Sequence, residues 1–199
     1  MNSDRSLNKG MKSYFDRCAS TWDEDCDIGK EKIAAVVTLA GICSGSRVAD
    51  IACGTGVLFK EMLSRNPKEI VGIDLSDQMI ARAREKFNDQ RLRLIVSDLF
   101  EFRETGFDAV TIFSAYPHFL DKRRLAEHLS FLLKSGGRFM AAHCESRAGV
   151  NSHHMGEQVK RLSAELRPVR EEAAEFEPFF SVDMLIDSND FYLFSGVKR

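Results

Sequence analysis

The stretch VADIACGTGVLF, residues 48–59, is an apolar run that stops on an acid, Asp50, and three residues later enters Cys53-Gly54-Thr55-Gly56. A helix-like pattern follows at once. A buried strand ending on a carboxylate, then a turn tight enough to need two glycines, reads as a strand–turn–helix unit. Gly54 and Gly56 let the backbone turn sharply and approach a ligand closely.

Outward from this unit the elements alternate. KEIVGID (68–74) is strand-like, with Gly72 inside. SDQMIARAREKF (76–87) is helical, with Ser76 as N-cap and Met79, Ile80, Ala83 and Phe87 as its stripe. RLRLIVSD and FDAVTIFS are strands. DKRRLAEHLSFLLKSGG (121–137) is a helix capped by Asp121, with Leu125, Leu129, Leu132 and Leu133 inward and Gly136 and Gly137 as its stop. GRFMAAH (137–143) is the next strand. Short apolar strands alternating with helices imply a parallel sheet covered on both faces. The last two runs, SVDMLIDSND and FYLFSGVKR, have no helix between them and read as an antiparallel hairpin at one edge. MGEQVKRLSAEL (155–166) reads as a helix with Val159, Leu162 and Leu166 on one face and Pro168 ending it. Residues 1–45 are helical in pattern and are expected to cover the sheet's ligand edge. Within them Ile33, Val36, Val37 and Ala40 share a face.

The chain has 199 residues, 44% apolar and 29% charged, which suits one globular domain with a real core. A net charge of −2 argues against a nucleic-acid surface. No secretory leader is read at the start, and no apolar run reaches the roughly 18 residues of a membrane span. The five cysteines, 18, 26, 43, 53 and 144, are odd in number and form no C-x-x-C pair, so reduced thiols and a cytoplasmic setting are expected.

Ligands of open parallel sheets bind beyond the carboxyl ends of the strands. Asp50 ends the first strand, Asp74 the second and Asp98 the third. Asp74 follows Gly56 at the interval expected of an acid accepting ribose hydroxyls. Asp98 and neighbouring backbone can bond an adenine amino group and ring nitrogen. Asp50, beside exposed backbone N–H groups, suits a cationic amine. An amine, a ribose and an adenine together describe S-adenosyl-L-methionine.

VADIACGTG, VGIDLS, SDLFEF, FDAVTIFSAYPHF and LLKSGGRFMAAH, in this order, resemble a class I S-adenosylmethionine-dependent methyltransferase. The likeness is to the small-molecule group that includes the ubiquinone and menaquinone C-methyltransferases. YFDRCASTWDED resembles that group's opening segment, with Trp22 where tyrosine is usual. The resemblance implies an α/β, Rossmann-like doubly wound sheet of seven strands, mostly parallel, with one antiparallel strand near the C-terminus and an N-terminal helical cap. It implies one domain over 1–199: a cap (1–45), a cofactor-binding core (46–144) and an acceptor-side insertion with the C-terminal hairpin (145–199). Implied cofactor contacts are Asp50, Gly54, Gly56, Asp74 and Asp98, with backbone help from Ala52, Leu75 and Leu99. Ser114 falls near the methionine part and the acceptor. Tyr14, Phe15 or Trp22 would close over the cofactor. The implied partner is a small-molecule methyl acceptor, with no nucleic acid and no membrane. A homodimer is left open.

His118 and His143 follow or end strands and are the candidate catalytic residues. Either imidazole could take a proton from a phenol, enol or thiol, or could shape the pocket by hydrogen bonding alone. His153 and His154 lie in the next connection. A metal held by His118, His143 and one of these lacks the support of a tight i, i+4 pair, and no metal is assigned. His128 reads as a partly exposed helix residue, and Cys53 and Cys144 as inert. Tyr116, Phe119, Phe176, Phe179 and Phe180 could line an acceptor pocket, with core packing the default. The expected reaction is in-line displacement at the sulfonium methyl in a shielded pocket. The alternatives are a nicotinamide-dependent oxidoreductase, disfavoured by Phe59 where G-x-G-x-x-G needs glycine, and a non-catalytic S-adenosylmethionine-binding protein. A nucleic-acid methyltransferase fits poorly, since SAYPH lacks the N-P-P-Y type of motif.

Overall fold

The computed structural model describes residues 2–24, 28–153 and 156–199; Cys26 and His154 lie outside them. Two helices precede the sheet, α1 (Asn2–Cys18) and α2 (Lys30–Leu39). β1 (Arg47–Ile51) then opens the regular alternation with α3 (Phe59–Ser64), β2 (Glu69–Asp74), α4 (Asp77–Lys86), β3 (Leu92–Val96) and β4 (Phe107–Phe113). α5 (Lys122–Leu132) and β5 (Leu133–His143) follow, then α6 (Arg147–His153), α7 (Glu157–Lys160) and α8 (Val169–Ala174). β6 (Phe180–Asp187) and β7 (Tyr192–Lys198) complete the chain.

The seven strands lie in the order β3-β2-β1-β4-β5-β7-β6. β1 pairs in parallel with β2 and β4, and β4 with β5. β7 inserts between β5 and β6, antiparallel to both, and is the one reversed strand. The order reverses between β1 and β4, which opens the crevice at their carboxyl ends.

Alternation along the strands sends side chains to two cores. Ala49, Ile51, Val110, Ile112, Phe139 and Ala141 pack with α5 and α8 on one face. Val48, Ile70, Ala109, Met140 and Ala142 pack with Val36 and Val37 of α2, Phe59 and Met62 of α3, and Ile80 of α4 on the other. Both faces are covered, so the strands read as continuous apolar runs. Each fully buried large side chain contributes roughly 1.5–3 kcal/mol relative to exposure. Phe176 and Phe180, considered above as pocket aromatics, belong to the first core: the Phe139 ring lies 4.7 Å from Phe176 and 4.5 Å from Phe180.

Local signals mostly act as read. Ser76 Oγ accepts from Met79 N at the start of α4, and Asp121 Oδ1 accepts from Arg124 N at the start of α5. Two readings need correction. α5 ends at Leu132, before Gly136 and Gly137; Leu133 already pairs with Phe107, and residues 134–137 bulge out opposite Asp108 before pairing resumes at Arg138. Gly136, at φ 74°, serves that bulge. The helix expected over 155–166 is one short turn, α7, after which 161–168 runs irregularly. Pro168 does not end a helix; it stands at the N-cap of α8, where its missing N–H costs nothing.

Candidate active site

At the carboxyl edge of the sheet, α1 closes a cavity of about 230 Å³. Its floor is the end of β1 and the glycine turn: Ile51, Ala52, Cys53 and Gly54. Asp74 and Leu75 after β2, Ser97, Asp98 and Leu99 after β3, and Ser114 and His118 after β4 supply its walls. Leu7, Asn8, Met11 and Phe15 of α1, with Trp22, form the roof.

The backbone here is unusual where it meets the cavity. Ala52, Gly54 and Ser114 all have φ of 53°, in the left-handed region. For a non-glycine residue that conformation costs on the order of 1–3 kcal/mol and persists where the surroundings over-determine it. Two such residues face one cavity. Gly56, at φ 86°, makes room for packing instead. A Cβ there would lie 2.3 Å from the Phe59 ring. The same ring would meet a Cβ at Gly72 at 2.6 Å. Phe59, which replaces the third glycine of a dinucleotide fingerprint, thus packs over two glycines. Gly56 does not line the cavity.

Asp74 joins the parts. Its Oδ2 accepts Gly54 N and its Oδ1 accepts Ser76 N, each at 2.8 Å, which ties the glycine turn to the start of α4. A carboxylate has about four lone-pair directions, so further acceptor capacity remains. Burial raises the Asp74 carboxyl above its ordinary value, against the pull of those backbone bonds.

Asp50 is placed otherwise than expected. It is buried but does not line the cavity; its Oδ1 accepts the Thr111 hydroxyl at 2.5 Å from the adjoining strand. Burial pushes its carboxyl up to about 7, with Asp74's charge adding to the effect against the Thr111 bond. Sequence reasoning missed Thr111, which faces Asp50 in register; a polar residue within the apolar run FDAVTIF was the available signal.

Asp98 caps the 3₁₀ turn Leu99–Glu101 through Phe100 N at 2.8 Å, and its Oδ2 accepts Asn8 Nδ2 at 2.6 Å. Further polar ties hold the roof. Lys12 pairs with Asp16 and Asp77, Ser76 Oγ donates to Asp16 at 2.6 Å, and Thr55 Oγ1 donates to Asp23, which also pairs with Lys86. A Cβ at Gly54 would lie 3.8 Å from Trp22 Nε1, so the indole sits over the glycine turn. Tyr14 does not line the cavity; it stacks edge-on against Phe15, which does.

The two candidate histidines separate. His118 lines the cavity, lies edge-on to Phe15 at 5.1 Å, and has its Nδ1 3.0 Å from Leu162 O. A carbonyl only accepts, so Nδ1 carries the hydrogen and the neutral ring's basic nitrogen is Nε2. His143 ends β5, is buried beside Tyr192 and does not line the cavity; it alternates in step with Phe139 and Ala141, on the face that packs with α5 and α8. His153 is exposed and paired with Glu145 at 3.0 Å. Among the described residues no group of three or more ligand side chains could hold a metal. Cys53 lines the cavity, and burial pushes its thiol well up, away from reactivity. Of Tyr116, Phe119, Phe176, Phe179 and Phe180, considered for an acceptor pocket, only Phe119 lines the cavity. The four described cysteines form no disulfide, and among the described residues no helix is long and apolar enough to cross a membrane.

Strand order, glycine turn and cavity define a doubly wound α/β domain built to take a nucleoside-bearing ligand at its carboxyl edge. Residues 48–137 match the family model described as "Methyltransferase domain". An uncharacterized methyltransferase of Schizosaccharomyces pombe is 34% identical over 154 residues, 71% of this chain and 51% of that one. A demethylmenaquinone methyltransferase of Clavibacter sepedonicus is 28% identical over 149 residues, 70% of this chain and 60% of its own. The chain thus spans between half and three fifths of these relatives' lengths. The solved DhpI–SAH complex superposes with a TM-score of 0.75 at 18% identity, covering 96% of this chain and 97% of that one. The match to the methyltransferase-domain family covers residues 48–137, and the chain is built on the class I S-adenosylmethionine-dependent methyltransferase fold.

Proposed function

We propose that this chain transfers the methyl group of S-adenosylmethionine to a small-molecule acceptor in the cavity beneath α1. The observation that carries the reading is Asp74: a buried carboxylate at the end of β2, joined to the glycine turn and facing the same cavity as Asp98. The residues fit the cofactor. Asp74 and Asp98 keep acceptor capacity for ribose hydroxyls and an adenine amino group. Leu75, Met79 and Leu99 offer apolar wall for a base, and Ala52, Gly54 and Ser114 bring backbone close. Asp50 stands behind the turn, hydrogen-bonded to Thr111, and a cation bound in front of the turn would favour its charged form against the burial that raises it. Bound there, the cofactor supplies a methyl group on positively charged sulfur, open to in-line displacement.

The chain's own residues position and shield. Leu7, Met11, Phe15 and Trp22 keep water from the cavity. Phe15, Phe119 and His118 meet the acceptor, and orientation is their main contribution. His118 Nε2 takes the proton of an acceptor that must lose one. His143, off the cavity on the interior strand β5, has no such part. On this reading α1, Trp22 and Ile28 cover the cofactor, whereas α2, expected to share in that cover, packs on the face of the sheet instead; 46–144 hold the cofactor, and 145–199 shape the acceptor side through Leu162. The described cysteines, in no disulfide, favour a cytoplasmic setting.

The test is methyl transfer from labelled S-adenosylmethionine to a panel of phenols, enols and thiols. At least one is expected to be methylated. With that acceptor, His118→Gln should slow transfer by about 10²–10⁴-fold, the usual worth of general-base catalysis. Undiminished turnover removes the base; no transfer to any panel member removes the small-molecule acceptor.

A further inference from the structure

Two residues before His118 begins a buried polar cluster that the proposed reaction does not use. Tyr116 Oη donates to Glu172 Oε2 at 2.8 Å. Arg167 donates to Glu172 three times: from its backbone N and Nε to Oε1, both at 3.1 Å, and from Nη2 to Oε2 at 3.2 Å. Lys122 Nζ donates to Tyr116 O at 2.7 Å and lies 3.7 Å from the centre of its ring. Glu172 is 1% exposed and Tyr116 fully buried. Burial alone would push the Glu172 carboxyl up, yet the bonds from Arg167 and Tyr116 outweigh it and hold the group low. A buried charge this well satisfied is costly to assemble, and removing one partner strands the others.

What the cluster holds is the irregular strip 161–168. Arg167 is gripped through its backbone N by Glu172 and through its carbonyl by Tyr192 Oη at 2.9 Å. Asn151 bonds both N and O of Leu166. Ala164 N donates to Pro117 O at 2.9 Å, and Leu162 O meets His118 Nδ1 at 3.0 Å. The turn Tyr116–His118 and the strip are therefore laced along their length, with Glu172 at one end and His118 at the other.

We propose that Glu172 is a positioning residue: by tying Tyr116 to Arg167 it keeps the strip against the turn and so holds His118 in the Nδ1–H form, with Nε2 as the nitrogen that meets the acceptor. The inference rests on the reading of His118 given above. Glu172 bonds Tyr116 and Arg167, and Leu162 of the same strip bonds His118 Nδ1, so the effect on the ring passes through the strip.

The experiment uses the full chain labelled with ¹⁵N-histidine and saturated with S-adenosylhomocysteine, the His118 signals being those lost in His118→Gln. Wild type should show a protonated Nδ1 and a bare Nε2 above the ring's pKa. Glu172→Gln should average the two tautomers. Tyr116→Phe, a milder change that keeps the ring packed, should move the signals the same way by less. With a methylated acceptor from the panel, Glu172→Gln should lower kcat roughly tenfold to 10²-fold at unchanged cofactor KM, the scale of a small misplacement. Wild-type nitrogen shifts in both folded variants overturn the inference. A shifted tautomer together with full turnover in His118→Gln overturns instead the reading of His118 as the base.

Discussion

Asp50 and Asp74 are both acids at strand ends, and their surroundings set them apart. Asp74 faces the cavity and holds the glycine turn; Asp50 faces Thr111 behind it. The difference has a consequence for stability. An exposed Asp titrates near 3.9, whereas burial lifts Asp50 to about 7. Between those values the native state holds a proton that the unfolded state has lost. Stability from this group is therefore full at the acid end and declines as pH rises from about 4 to 7. In a urea series across that window, Asp50→Asn should flatten the decline and gain on wild type as pH rises; parallel slopes in the two proteins would refute the assignment. The acids themselves were legible from their places in VADIA, VGIDLS and IVSDL. That Asp50 lies off the cavity was not, because its partner, Thr111, comes from the adjoining strand sixty-one positions on.

At the scale of elements, α1 is tied to the cavity by side-chain bonds to the turn after β3 and to the start of α4. Asn8 reaches Asp98, Lys12 reaches Asp77, and Asp16 takes Ser76 Oγ at the start of α4. Burial would raise Asp16's carboxyl, but its bonds to Lys12 and Ser76 prevail and keep it low. A hydrogen bond to a charged group contributes about 1.5–3 kcal/mol, so Asn8→Ala, which removes the bond to the Asp98 carboxylate, should weaken S-adenosylmethionine binding by about ten- to 10²-fold. Asp16→Ala should speed amide exchange along α1 while leaving β1 protected. Titration of the Asn8 variant with the cofactor reads the first, and hydrogen exchange followed by mass spectrometry the second; unchanged exchange in α1 would mean that the helix is held by something else. The helical pattern of this segment was plain in the sequence, but Asn8 carries no motif and its partner lies ninety positions away. The stretch after α6 was legible least. Val159, Leu162 and Leu166 keep helical spacing, yet Leu162 and Ala164 turn their backbone to the Tyr116–His118 turn, and those tertiary bonds override local preference.

Across the whole molecule, alternating strands and helices marked out the parallel sheet, and the helix-free last two runs marked the antiparallel end. What pattern could not supply was that β7 enters between β5 and β6, bringing Phe194 against Phe139 and Phe176. This aromatic core anchors the end of α8 to β5 and β7. Phe139→Ala should cost about 3–5 kcal/mol in denaturant unfolding. Because Phe139 and Phe176 stack, the double variant should lose less than the two singles together; strict additivity would deny the coupling. All these parts converge on the carboxyl edge of the sheet, where Asp74 is to hold S-adenosylmethionine. Calorimetric titration of the full chain with S-adenosylhomocysteine is the sharpest check of that role. Saturable one-site binding is expected, weakened roughly tenfold or more by Asp74→Asn as a buried charged acceptor is lost, with no binding of NAD. No heat from S-adenosylhomocysteine, or equal affinity in Asp74→Asn, would rule that role out.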